Sequence, residues 1–100
     1  MGTDVWGEGG VPGEGPYIVL HLEVDGDVVG EGRFESNGCP AAHHAACAAL
    51  VVAKGRSPER MALIEGKDLE LLAGPLPDGK GFYYDLAAQA LRNCMSQVKG

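Results

Sequence analysis

Hydrophobic residues alternate with polar ones early in the chain and then switch to a helical spacing, and the switch falls near residue 40. "YIVLHLEV", residues 17–24, places Ile18, Leu20, Leu22 and Val24 on one face and Tyr17, Val19, His21 and Glu23 on the other. That period of two predicts a half-buried strand. Asp25-Gly26 is a hairpin turn signal. "DVVGEGRFES", residues 27–36, then reads as a second strand, with Val28, Gly30, Gly32 and Phe34 alternating against Val29, Glu31, Arg33 and Glu35. A glycine-rich opening, residues 1–16, predicts a short edge strand around Asp4–Glu8 and a loop, "GGVPGEGP".

From Pro40 the spacing is helical. Proline suits a first helical turn, where its missing N–H would be unpaired anyway, and Gly55 suits the stop, so a helix is expected over 40–54. Ser57-Pro58-Glu59 carries an N-cap, a proline at the first position and a first-turn acid, which opens a short helix. A further short helix is expected over Asp68–Ala73, then a loop, "GPLPDGKG", then a final helix over 82–98 with Leu86, Ala90, Leu91 and Cys94 on or near one stripe. Strands followed by helices predict an α+β domain, with the helices on one face of an antiparallel sheet. The 100 residues suffice for one domain spanning 1–100.

Composition removes several functions. The net charge of −6 argues against a nucleic-acid groove, which needs a basic face. No apolar run approaches the roughly 20 residues of a membrane span. "MGTDVWGEGG" has neither the basic start nor the apolar run of a signal peptide. The three cysteines form no disulfide spacing, so a reducing cytoplasm is expected.

The candidate chemistry lies in "ESNGCPAAHHAAC", residues 35–47. Cys39 falls where a strand meets a helix N-terminus, whose unpaired N–H groups and dipole favour a thiolate. Three roles stay open for it: metal ligand, sulfur acceptor or nucleophile. His43 and Cys47 follow at four and eight residues. Cys39 and His43 can share a metal, whereas Cys47 stands roughly 12 Å along the helix and cannot join them. The same pair could act as a Cys–His nucleophile, but no oxyanion motif or orienting third residue accompanies it, so no enzymatic activity is expected. Cys47 and Cys94 read as packed small hydrophobes. "GEGP", 13–16, precedes a strand and lacks a Lys-Ser/Thr, so it is no phosphate cradle; Glu14 at its tip is a solvated acid or a ligand. Phe82, Tyr83 and Tyr84 open the last helix, where they roof a site or fill the core.

Taken together, "FESNGCPAA" at 34–42, "KGRSPERM" at 54–61, "LAGPLPDGK" at 72–80 and "LAAQAL" at 86–91 resemble, in order and spacing, the NifU-like (IscU-type) iron–sulfur cluster scaffold proteins. The resemblance runs from about Asp4 to Asn93. It implies a three-stranded sheet with helices packed on it, a scaffold role in iron–sulfur cluster assembly, and a [2Fe-2S] cluster, iron or zinc as the bound group. Cysteine desulfurase, an Hsp70-type chaperone and other assembly proteins are the implied partners. In that family three cysteines from three loops converge at one end. Here only Cys39 falls on such a position. Glu14 stands for the first cysteine, Pro16 for the aspartate that follows it, and Phe82-Tyr83 for a His-Cys pair. The resemblance therefore implies a site of Cys39, Glu14 and Tyr83, with Cys39, Glu14 and His43 as the donors for a metal. Its alternative is a relative without metal chemistry that acts as a protein-interaction module. The "LPDGK" stretch, 76–80, matches the segment that such proteins present to the chaperone.

Overall fold

The computed structural model describes residues 3–10, 13–76 and 79–97. Its elements run β1 (Thr3–Gly10), β2 (Tyr17–Asp25), β3 (Val28–Ser36), α1 (Pro40–Ala53), α2 (Pro58–Met61), α3 (Gly66–Ala73) and α4 (Phe82–Met95). The strands form one antiparallel sheet in the order β1-β2-β3. The helices cover one face of it, α4 over β1 and β2 and α1 over β2 and β3, with α3 resting on α1 and α4. The fold is thus α+β, as the change of period at residue 40 predicts. Among the described residues no helix is long and apolar enough to cross a membrane.

The inward face of β2 reads directly from the sequence. Ile18, Leu20, Leu22 and Val24 are all buried and meet Leu69, Tyr84, Leu91 and the alanines of α1 and α4. Truncating a leucine of this core to alanine would cost about 2–5 kcal/mol. Small residues bring the layers close. Gly7 and Gly9 share the inward face of β1 with Val5, and a methyl group added to either would overlap the α4 backbone, at the Ala90 carbonyl for Gly7 and the Leu86 carbonyl for Gly9. The glycine-rich start of the chain therefore serves close packing of strand on helix.

The alternation expected for β3 fails at its start. Leu22 pairs with Gly32, but Val24 pairs with Val29, so β3 carries one extra residue between these pairs. That bulge reverses the parity of the strand. Val29 is fully buried and Val28 is 47% exposed, the opposite of the expected assignment, while Gly32 and Phe34 keep the inward side. The register explains the error: alternation assumes an unbroken ladder, and Gly30 relaxes it.

Helix limits match closely. Ser57 Oγ accepts from the Arg60 N–H at 3.4 Å as the cap of α2. α3 begins two residues earlier than expected, with Asp68 Oδ2 accepting the Glu65 N–H at 2.9 Å. α4 ends at Met95 rather than 98, and its last carbonyls pass into a turn at Ser96 and Gln97. Val11, Pro12, Pro77, Asp78 and Val98, which fall in expected loops and at the expected helix end, lie outside the described residues.

Two side chains after the middle of α4 reach back to β1. Gln97 Oε1 accepts from the Trp6 N–H at 3.1 Å, Gln97 Nε2 donates to the Trp6 carbonyl, and Asn93 Nδ2 donates to the Glu8 carbonyl at 2.7 Å. These carbonyls and N–H face away from β2, so Asn93 and Gln97 cover that edge of the sheet at Trp6 and Glu8.

Candidate functional site

The site begins with a tight turn between β3 and α1. Gly38 has φ +88°, a backbone that a side chain resists, and its N–H donates to Ser36 Oγ at 3.2 Å. The turn delivers Cys39 to the N-cap position of α1, with Pro40 behind it. Asn37, at the turn's apex, binds in two directions. Its Oδ1 accepts from the Tyr17 N–H at 3.3 Å, and its Nδ2 donates to the Tyr83 hydroxyl at 3.1 Å. One amide thus joins the start of β2 and the first turn of α4 to the segment that holds Cys39.

Tyr83 is buried, and its ring stacks on Phe82 at 4.3 Å between centroids. Because its oxygen already accepts from Asn37, its own proton is free to face a second acceptor, the Cys39 sulfur. The thiol pKa is lowered, first by the backbone N–H of Ala41, then by the Tyr83 hydroxyl, with the Ala42 N–H and the Lys80 charge helping and partial burial opposing. The amides favour the anion although no cap hydrogen bond of regular geometry joins them to the side chain. The contrast with Cys94 is large: burial pushes that thiol up to about 12, and its sulfur lies 3.4 Å from the Leu20 carbonyl, to which it donates. Cys47 sits half-buried beside an apolar groove between α1 and α3.

The other expected site residues fall as follows. Glu14 is exposed in the loop at the same end of the sheet, since Gly10 pairs with Tyr17 and Ile18 with Ser36. No hydrogen bond or ion pair joins it to Cys39 or Tyr83 among the described residues. His43 donates its backbone N–H to the Cys39 carbonyl at 3.0 Å, while its ring meets the edge of Phe34 at 4.8 Å. Among the described residues no three His, Cys, Asp or Glu side chains are placed to hold a metal ion. Cys39 and Tyr83 are brought together; Glu14 and His43 flank them without joining. Asn37 and Lys80 take part without having been singled out from sequence. The Asn-Gly pair at 37–38 signals a turn, but nothing in one sequence says that its amide reaches residue 83.

A [2Fe-2S] centre uses several thiolates or imidazoles at once. One thiolate, one buried phenol and an apolar Phe82 do not fit that requirement within a single copy of this chain.

A family model described as NifU-like N terminal domain matches residues 3–100. Bifunctional protein NifU/MnmA of Rubrobacter xylanophilus is 39% identical over 87 residues, covering 85% of this chain and 18% of that protein. The chain thus spans less than a fifth of that relative's length.

Proposed function

This chain belongs to the NifU-like N terminal domain family, and from that premise we propose that it serves iron–sulfur cluster assembly as a divergent scaffold-like protein with a single working thiolate, Cys39. Its role is binding rather than turnover. Cys39 takes one iron, one zinc or one sulfur atom, and the remaining ligands come from water or from a partner. One observation carries this reading: backbone amides of α1, the Tyr83 hydroxyl and Lys80 all favour the anion of that sulfur, while burial drives the Cys94 thiol the other way. A thiolate is the form that ligates metal and accepts sulfur. The partners in this reading are a cysteine desulfurase as sulfur donor, an Hsp70-type chaperone, or another assembly protein.

A second reading is supported by the donor set itself. Where the family resemblance sets a His-Cys pair, Phe82 and Tyr83 stack on each other. That aromatic pair suits a protein-interaction module that has given up metal chemistry. Iron, zinc and sulfide analysis of protein purified without oxygen distinguishes the two, with Cys39→Ala as control. Substoichiometric metal or sulfane sulfur that disappears in Cys39→Ala supports the first reading. Equal, negligible content in both proteins supports the second.

A further inference from the structure

The two edges of the sheet are treated differently. On β1 the outward N–H and carbonyl of Trp6 and the carbonyl of Glu8 are taken up by Gln97 and Asn93. On β3 the first outward pair is closed as well: Val29 N–H donates to the Arg56 carbonyl at 2.9 Å, and its carbonyl accepts from Gly55 at 2.8 Å. Beyond the bulge the edge is open. An antiparallel ladder alternates inward and outward pairs. Trp6 faces outward and pairs with His21, which pairs with Arg33, so Arg33 and Glu35 bond to β2 while Gly32, Phe34 and Ser36 turn their backbone N–H and C=O outward. Among the described residues none of these backbone groups has a partner on that side.

We propose that this open edge is an interface between two copies of the chain, β3 pairing antiparallel with β3 about a two-fold axis at Phe34 to make a continuous six-stranded sheet. The charges select both the occupant and the register. With Phe34 opposite its counterpart, Arg33 faces Glu35 of the partner subunit and Glu35 faces Arg33 of the partner subunit, on the side of the sheet that no helix covers. Shifting the axis to residue 33 sets Arg33 against itself and Glu31 against Glu35. Shifting it to 35 sets Glu35 against itself. An axis at 32 restores opposite charges, but it drives the partner strand into the Gly55–Arg56 turn that already occupies Val29. Like charges opposite each other on an edge repel a second strand, whereas alternating signs admit one in a single register.

Sedimentation velocity of the full chain, at concentrations up to about 1 mM, tests this. The expected result is a reversible dimer that Arg33→Glu and Glu35→Arg each weaken by roughly tenfold or more. The double exchange Arg33→Glu with Glu35→Arg restores it, because the signs again oppose. Amide exchange at Phe34 and Ser36 slows with concentration in the parent. Monomer throughout that range, a dimer indifferent to both single reversals, a folded double variant that stays monomeric, or a dimer without added protection at Phe34 each overturns the proposal.

Discussion

Asn37 and Tyr83 stand 46 residues apart in sequence and meet at 3.1 Å, amide nitrogen to phenol oxygen. The direction of that bond matters. Because Asn37 donates, the phenol keeps its proton for Cys39. Tyr83→Phe removes the donor, so the pH at which Cys39 is half ionised rises and its alkylation at neutral pH slows. Asn37→Ala should shift the profile the same way by a smaller amount, since the phenol then turns freely. The pH dependence of iodoacetamide labelling measures both; an unmoved profile in Tyr83→Phe would refute the arrangement.

The three thiols should separate in the same experiment. Cys39 labels first, Cys47 more slowly, and Cys94 only on unfolding, because its sulfur is fully buried. Mass spectrometry after brief exposure at neutral pH reads the order, and early label on Cys94 is the outcome that contradicts it.

Cys94 also sets a pH limit on stability. Its folded pKa, about 12, lies above the ordinary value of 9.0. The unfolded chain therefore loses the proton first as pH rises, and the folded state is penalised through that window. Stability from this group is complete below about 9 and falls between there and 12. Urea titrations of the parent should show a downward slope in that range that Cys94→Ala flattens, after its own cost in packing. Parallel slopes would mean that the thiol does not titrate as placed.

Gly9 tests the contact between β1 and α4. Gly9→Ala forces a methyl group into the Leu86 carbonyl, so the helix must move off the strand. Overpacking of this kind costs about 1–3 kcal/mol. Gly81→Ala, where nothing lies within reach of the added carbon and φ is −58°, is the control for glycine replacement. Thermal melts showing Gly9→Ala no less stable than Gly81→Ala would contradict the close approach.

The converse of the poor donor set is that thiolates can be put back. Glu14→Cys with Tyr83→Cys and Phe82→His supplies three thiolates and an imidazole from the loop before β2, the start of α1 and the start of α4. Reconstituted with iron and sulfide without oxygen, the folded variant should develop the visible charge-transfer absorption of a [2Fe-2S] centre, and the parent should not. Loss of the stacked Tyr83 ring costs up to a few kcal/mol, so circular dichroism comes first. A folded, colourless variant would show that residue 14 does not reach the sulfur of Cys39.

Most of the fold could be read from pattern because its determinants are local. The β2 alternation, Pro40 at the start of α1 and the Ser57 cap each act within a few residues. The bulge in β3 was hidden because it is a relation between two strands, and only the pairing of Val24 with Val29 exposes it. The site divides in the same way. Cys39 was legible from its place before Pro40. Tyr83 came from the family resemblance. Asn37 and Lys80 depend on which distant segments meet, which no local spacing states. The exposed Glu14 and the His43 ring turned to Phe34 show the opposite case, where sequence position suggests a ligand that the side-chain geometry does not bring in.

The amide of Gln97 grips Trp6, 91 positions away, so the first strand and the turn after the last helix lie side by side. A fold whose ends touch is a closed circuit, and a circuit can be opened elsewhere. A short linker could join Thr3 to Gln97 while new ends are cut at the Gly26 turn, which bears no buried side chain and stands far from Cys39 along β3. In such a permuted chain the Trp6–Gln97 clasp becomes a local contact, closed early and cheaply, and the long-range pairing that now has to wait for the whole chain is left to β2 and β3.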